Sequence, residues 1–197
     1  MPSIIFLGPP GAGKGTQIKH IVSKYDIHPI MLGELMREEV KRQTPLGLEL
    51  QSYIDKGFLA PHELAMQVTG RKMKEYHDNG YKNLLFDGFP REEAQATALD
   101  ALLTSTHEYE CFKVTCVIFF KVSDEEIIKR IHNRSLTSGR ADDTDDDIIK
   151  RRIKVFYDKI FTVKDKYSQL GLLTEIDGEQ NEEDVAKQID NILSKHF

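Results

Sequence analysis

The beginning of this chain joins a short apolar run, a glycine-rich loop and an amphipathic segment. Ser3-Ile4-Ile5-Phe6-Leu7 is continuous and rich in β-branched residues, which is typical of a buried parallel strand. The loop that follows reads Gly8-Pro9-Pro10-Gly11-Ala12-Gly13-Lys14-Gly15-Thr16. Ile18, Ile21 and Val22 then recur at helical spacing. A strand, a glycine loop and a helix in this order predict an α/β fold with an anion-binding loop.

The loop matches the phosphate-loop pattern G-x-x-x-x-G-K and then departs from it. Its glycines let backbone N–H groups surround a polyphosphate, and Lys14 reaches the outer phosphates as a flexible point charge. Gly15 stands where most such loops have the Ser or Thr that binds Mg²⁺, and the hydroxyl is displaced to Thr16. We therefore expect a metal held chiefly by substrate phosphates and carboxylate-bound water, which disfavours a generic ATPase or GTPase.

Length and charge limit the remaining possibilities. With 197 residues and 40% hydrophobic content, the chain is long enough for one core and too short for two full domains. Its net charge of −5 gives no electrostatic footprint for nucleic acid or anionic membrane, so local cationic clusters must meet any polyanion. No apolar run approaches the roughly 20 residues of a membrane span. We expect a cytoplasmic protein and no membrane or nucleic-acid partner.

Apolar runs and helical patterns alternate along the rest of the chain. The further strand-like runs are 84–86, 114–122 and 172–176, and the helix-like segments are 94–103, 124–134, 145–167 and 181–193. This order predicts a parallel sheet covered by helices on both faces, with ligands at the carboxyl ends of the strands. Thr144 is predicted to cap the helix that begins with Asp145-Asp146-Asp147, an acidic run that suits the helix dipole.

A second motif, Asp87-Gly88-Phe89-Pro90-Arg91, follows the apolar run that ends at Phe86. Asp87 thus comes at a strand end, near the predicted phosphate loop, where it can hold the water of a Mg²⁺ ion. Arg91, in a turn fixed by Pro90, offers a planar fork of donors to a phosphate.

Four ordered motifs resemble the nucleoside monophosphate kinases, most closely adenylate kinases with a short lid. The motifs are Gly-Pro-Pro-Gly-Ala-Gly-Lys-Gly-Thr-Gln at 8–17, Leu-Gly-Glu-Leu-Met-Arg at 32–37, Asp-Gly-Phe-Pro-Arg at 87–91 with Gln95, and Thr-Ser-Gly-Arg-Ala-Asp-Asp at 137–143. The resemblance implies Mg²⁺-dependent, reversible transfer of the γ-phosphoryl of ATP to AMP, giving two ADP. It also implies a single kinase domain over 1–197 with a five-stranded parallel sheet. Two mobile inserts are expected, for the monophosphate near 31–60 and for the lid near 133–143.

The same resemblance implies the site residues. Those for ATP are Gly11, Ala12, Gly13, Lys14, Gly15, Thr16, Arg130, Arg134 and Gln180, with Arg130 packed flat on the donor adenine. Those for AMP are Leu32, Arg37, Phe58, Leu59, Ala60, Gly88, Phe89, Pro90, Arg91, Gln95, Arg140 and Arg151. Those for catalysis are Lys14, Asp87, Arg91, Arg134, Arg140 and Arg151. Arg152 has no counterpart among the family's functional arginines, so we expect a solvated helix residue there.

Two alternatives are open for the base of the acceptor nucleotide. Adenylate kinases usually have a threonine that touches the base where this chain has Leu32, and Leu32 followed by Glu34 leans toward the UMP/CMP kinases. Gln95 favours AMP, because the UMP/CMP kinases usually have asparagine there and because a long amide can both donate to and accept from an adenine edge. We expect AMP, with UMP/CMP kinase activity as the alternative.

Further expectations concern the cysteines, the oligomeric state and the mechanism. The short lid and the isolated Cys111 and Cys116 favour buried thiols and no zinc site. The protein is expected to act as a monomer by direct in-line transfer, without a strong base. The rival functions are a switch NTPase, which Gly15 disfavours, and an inactive nucleotide sensor, which the intact Lys14 and Asp87 disfavour.

Overall fold

A five-stranded parallel sheet forms the centre of the molecule in a computed structural model that describes residues 3–105, 109 and 112–196. The strands are β1 (Ser3–Leu7), β2 (His28–Met31), β3 (Leu84–Asp87), β4 (Val114–Lys121) and β5 (Leu173–Asp177). Their order across the sheet is β2-β3-β1-β4-β5, and every neighbouring pair is parallel. The sheet predicted from the sequence is therefore confirmed.

Helices cover both faces of this sheet. They are α1 (Lys14–Tyr25), α2 (Leu32–Lys41), α3 (Pro45–Asp55), α4 (His62–Asp78), α5 (Glu93–Ser105), α6 (Asp124–Ser138), α7 (Asp146–Gln169) and α8 (Glu182–Leu193). Successive β1 residues point to opposite faces, so Ile4 and Phe6 join a core with α1, α6 and α8. Ile5 and Leu7 join the core that contains α2 to α5. Helix α7 contributes to both cores, because it crosses from one to the other along its length.

The strand β2 has no clear signal in the sequence pattern. It is four residues long, contains Pro29 and lies at the edge of the sheet, which is where a proline is tolerated in a strand. Helices α2, α3 and α4 follow it before the chain returns to β3. The predicted 31–60 insert covers α2, α3 and the loop after them. The predicted 133–143 lid covers the end of α6, Gly139 and a 3₁₀ turn, Ala141–Asp143. Their behaviour as separate mobile inserts remains a prediction.

The start of α7 differs from the prediction by one residue. Asp145, not Thr144, is the N-cap, and its carboxylate accepts hydrogen bonds from the N–H groups of Asp147 and Ile148. Thr144 is wrong as the cap because it ends the preceding 3₁₀ turn, where its hydroxyl donates to the carbonyl of Ala141. Cys116 is buried as predicted, whereas Cys111 lies outside the described residues.

Two features are absent from the described part of the chain. Within it, no helix combines the length and the apolar character needed to cross a membrane. Within the same ranges, no three His, Cys, Asp or Glu side chains are grouped so that they could hold a metal ion.

Candidate active site

The glycine loop begins where β1 ends, at the carboxyl edge of the sheet. Gly11 and Gly13 have φ values of 86° and 89°, in the left-handed region that favours glycine. A Cβ atom at Gly11 would lie 2.9 Å from Cγ1 of Ile131, so the loop can pass α6 only without a side chain there. Gly13 is the N-cap of α1. The loop therefore presents its backbone and the positive end of a helix dipole to the same space.

Lys14 crosses this loop in a strongly cationic environment. Its Nζ donates to the carbonyls of Gly8 at 2.8 Å and Pro9 at 3.1 Å. Burial lowers the pKa of Lys14 to about 8 against the opposing effect of Asp87, and the nearby arginines Arg91, Arg134 and Arg152 lower it further. Several cations thus converge here with too few anions to balance them. The arrangement suits a multiply charged phosphate ligand.

Asp87 ends β3 and pairs in register with Phe6 of β1, which places its carboxylate beside the loop. Its Oδ1 is buried and, among the described residues, has no hydrogen-bond partner. Lys14 Nζ lies 3.9 Å from that oxygen, beyond hydrogen-bond distance. A buried carboxylate oxygen without a partner fits a site for the water shell of a hard cation.

A cavity beside the loop collects most of the predicted acceptor residues. Those that line it are Leu32, Arg37, Phe58, Leu59, Ala60, Arg91 and Gln95, together with Lys14, Asp142 and Arg152. Its walls are largely apolar, and Gln95 is the amide among them. Such a cavity, with four cationic side chains in its wall, fits a nucleoside monophosphate.

Arg91 is held in this cavity by the turn that precedes it. Its Nε donates to the carbonyl of Gly88 at 2.7 Å, and its backbone N–H donates to Oε1 of Gln95 at 2.8 Å. Phe89 and Pro90 are buried and do not line the cavity, although the resemblance placed them at the acceptor. Phe89 belongs to the hydrophobic core, so its part is to anchor the turn.

Arg37 and Arg91 converge on one point. A Cβ atom at Gly33 would lie 3.4 Å from Nη2 of Arg37 and 3.8 Å from Nη2 of Arg91, so glycine leaves both guanidinium groups accessible. Burial lowers the pKa of Arg37 to about 10, and Arg140 nearby lowers it further. Burial also lowers the pKa of Arg91. Both groups are desolvated and would gain from an anion.

A second cleft lies on the other side of the loop. The residues that line it include Ala12, Gly13, Thr16, Arg130 and Gln180 from the predicted ATP set. Arg130 Nε donates to Glu126 and its Nη1 donates to the carbonyl of Gly178, both at 2.8 Å, which fixes the guanidinium plane. A fixed guanidinium in a cleft can stack on an aromatic base.

Two predicted lid arginines are tied to carboxylates. Arg134 forms a two-pronged pair with fully buried Asp143, at 2.7 and 2.8 Å. Burial by itself would raise the pKa of Asp143, but hydrogen bonds from Arg134 and Arg152 outweigh it and hold that pKa below its usual value. Arg140 Nη2 donates to Glu34 at 3.1 Å, across the cleft from the lid segment to α2.

The structure places the side chains of Arg151 and Arg152 on different sides of α7. Arg152 was expected to be a solvated residue, and this is wrong. Its side chain is only 15% exposed, lines the acceptor cavity and donates to the carbonyl of Asp142 and to Asp143. Arg151 is exposed and is not among the lining residues. Its Nη1 donates instead to the carbonyl of Lys56 at 2.9 Å.

The rotation of α7 explains this difference in placement. Ile149, Ile153 and Phe156 are buried at positions i, i+4 and i+7 and define the inner face of the helix. Arg152, at i+3, lies at the edge of that face, whereas Arg151, at i+2, lies about 100° around the helix from Arg152 and about 160° from the centre of the face. The apolar spacing could have identified Arg152 from the sequence. No sequence pattern indicated that Asp142 and Asp143 would be buried as its partners.

Known proteins are similar to this chain over most of its length. The family described as adenylate kinase matches residues 6–172 of the chain. An adenylate kinase of a Synechococcus species is 37% identical over 98% of this chain and 96% of its own length. An adenylate kinase of Leptospira biflexa is 36% identical over 96% and 98%. Adenylate kinase isoenzyme 1 of Caenorhabditis elegans is 36% identical over 94% and 84%.

Proposed function

The chain belongs to the adenylate kinase family. We therefore propose that it transfers the γ-phosphoryl group of ATP reversibly to AMP, which gives two ADP. The observation that carries the proposal is that two clefts flank the glycine loop, one lined by Gly13 and Thr16 of the loop and the other by Gly8 and Lys14. The first cleft is also lined by Arg130 and Gln180, and the second, with Lys14 in its wall, by Leu32 and Gln95. Two nucleotides placed in these clefts would face each other through their phosphates.

The transfer is direct. An oxygen of the AMP phosphate forms a bond to the γ-phosphorus while the bond from that phosphorus to the β,γ-bridging oxygen breaks, and the bridging oxygen leaves with ADP. The acceptor is already anionic, so no side chain has to remove a proton from it. Positioning and charge stabilisation supply the catalysis.

The cations have separate parts in this scheme. The loop N–H groups and Lys14 hold the outer phosphates of ATP, and Arg37 with Arg91 holds the phosphate of AMP. Arg134 and Arg152 reach the transferring group from the lid side, each oriented by Asp143. Arg140 joins them when it leaves Glu34. Arg152 here takes the part that the sequence suggested for Arg151, because Arg152 is the one that lines the cavity.

We also propose Mg²⁺ as the cofactor, with Asp87 holding it through water. When bound, the ion neutralises charge on the β- and γ-phosphate oxygens of ATP. The buried Oδ1 of Asp87 supports this site, because it has no hydrogen-bond partner within the described ranges, and so does the lack of a hydroxyl at Gly15.

AMP is the acceptor that the relatives support, since those compared are adenylate kinases. Gln95 also supports it. Its Oε1 faces the Arg91 N–H, so its amide N–H₂ is the donor left for a ring nitrogen of the base. The alternative of UMP/CMP kinase activity rests on Leu32 and Glu34, and it is an outcome of the test below.

A panel of monophosphates tests the function. AMP, CMP, UMP and GMP are each offered with Mg²⁺ and ATP, and the products are separated directly. We expect ADP from AMP, and a loss of turnover of at least about 100-fold in Lys14→Met and Arg91→Ala. Preference for CMP or UMP would overturn the acceptor assignment. ADP release without any acceptor would indicate a switch NTPase, and no transfer to any monophosphate would indicate a sensor.

A monomer in the cytoplasm is the proposed working form. It is supported by the fact that residues of one chain line both clefts. Light scattering on a gel-filtration peak tests the monomer, for which the expected mass is 22.6 kDa. Cell fractionation tests the location.

A further inference from the structure

The loop between α3 and α4 packs closely on α7. Gly57 in this loop is buried and has a φ of 70°. A Cβ atom there would lie 2.9 Å from Cγ of Arg152 and 3.2 Å from the carbonyl oxygen of Ile148, so the loop and the helix touch backbone to backbone. Any change that lifts the loop would therefore open a gap beside Arg152.

Arg151 spans this contact from the outside. Its Nη1 donates to the carbonyl of Lys56 at 2.9 Å, on one side of Gly57. Its guanidinium carbon lies 5.4 Å from the ring centroid of Phe58, on the other side. The distance is within the range of a cation–π contact. One side chain thus holds both neighbours of the glycine.

The loop that Arg151 holds is a wall of the acceptor cavity. Gly57, Phe58, Leu59 and Ala60 all line the cavity, and Arg151 does not. Arg152, the next residue of α7, lines the cavity itself. Because successive helix residues point about 100° apart, α7 can reach the phosphate end with one arginine and grip the base wall with the other.

We propose that Arg151 is a positioning residue for the acceptor nucleotide, which clasps the 56–58 loop onto α7. The inference rests on the proposed function, and it names the residue that keeps the base wall next to the phosphate-binding Arg152. Arg151 acts on the wall and not on the reacting atoms. Its loss should weaken AMP binding and leave ATP binding and the chemical step intact.

Steady-state kinetics of Arg151→Ala test the assignment. We expect KM for AMP to rise about three- to tenfold, because the loop keeps part of its packing on α7 after one exposed cation–π contact and one hydrogen bond are lost. KM for ATP and kcat should change less than about twofold. Lys150→Ala is the matched control, because it removes one exposed positive charge from the adjacent position of the same helix. The control should leave all three constants unchanged. A fall in kcat, an equal rise in both KM values, or no change would overturn the proposal.

A double-mutant cycle tests whether the contact itself matters. Phe58→Leu keeps an apolar wall and removes the ring. If Arg151 acts partly through that ring, Arg151→Ala should raise KM for AMP less in the Phe58→Leu background than in the wild type. If the two substitutions change KM for AMP by fully additive free energies, the Phe58 ring takes no part in the clasp, and the proposal is contradicted.

A structural measurement separates the clasp from the enzyme activity. The chain has no tryptophan, so Phe58→Trp supplies a single reporter that can keep the cation–π contact. Acrylamide should quench this tryptophan more strongly when Arg151→Ala is added, without any nucleotide present. Equal quenching would overturn the clasp even in an active enzyme. Failure of the wild type to make ADP would overturn the proposed function and leave the quenching result standing.

Discussion

Replacing Arg152 by lysine tests the central assignment of the site. Among the described residues, the hydrogen bonds and ion pairs of the Arg152 guanidinium are all made by Nη1. This atom donates to the Asp142 carbonyl at 2.7 Å and to Asp143 at 2.8 Å, and it lies 3.1 Å from the Asp142 carboxylate. The rest of the guanidinium fork is the part that can reach a phosphate. A lysine has one ammonium, so it cannot serve the carboxylates and the phosphate together.

The expected loss is large in rate and small in stability. One preorganised donor at a developing charge contributes about 2.7–4 kcal/mol, so kcat of Arg152→Lys should fall about 100- to 1000-fold. The side chain is only 15% exposed, which limits solvent screening of that contribution. Asp143 keeps its two bonds from Arg134, so the free energy of unfolding should fall by only about 1–2 kcal/mol.

The assay is steady-state ADP formation from ATP and AMP, with both substrates saturating. Thermal unfolding of the same preparation checks that the variant is folded. Arg151→Lys is the matched control, since it makes the same exchange one residue away, and its kcat should stay within about twofold of wild type. Wild-type kcat in Arg152→Lys, or a larger loss of kcat in Arg151→Lys, would contradict the part assigned to Arg152.

Three other predictions concern the surroundings of the site. Asp143→Asn should lower the free energy of unfolding at pH 7 by about 2–3 kcal/mol, because Arg134 and Arg152 lose their buried partner. The pKa of Asp143 is depressed, so its contribution is present above the usual aspartate pKa and is lost as pH falls through the folded value. The stability difference, measured by urea unfolding, should therefore narrow below about pH 4. Burial raises the pKa of Cys116 to about 12, so this thiol should not react with iodoacetamide at pH 8 in the native protein. Peptide mapping should find it alkylated only after unfolding in urea. Rapid alkylation of the native protein would contradict this. Glu34→Gln should change the free energy of unfolding by less than about 1 kcal/mol, since the Glu34 side chain is 46% exposed. It should also lower KM for AMP, because it releases Arg140. A higher KM for AMP would show instead that Glu34 assists binding.

Much of the fold was predictable because its signals are local. The apolar runs of β1, β3 and β4 and the glycine loop were each visible in a few consecutive residues. The strand β2 was not, because a four-residue edge strand with Pro29 has too few buried positions to show a pattern. The cap of α7 was displaced by one residue, because Thr144 and Asp145 are both suitable capping types and only the preceding turn decides between them.

The candidate site divides in the same way. The phosphate loop could be identified from the sequence, because its signals are local. Gly11 and Gly13 allow the backbone conformation of the loop, and Lys14 supplies its positive charge. The sequence also indicated Asp87 and Arg91 through their place after a strand. Folding alone placed Arg152 in the wall of the acceptor cavity and Arg151 outside it, because the rotation of α7 is set by the burial of Ile149 and Ile153 in the core. Likewise, only folding brought the carboxylates of the 3₁₀ turn under the arginines of α6 and α7, since such pairing depends on contacts between separate elements.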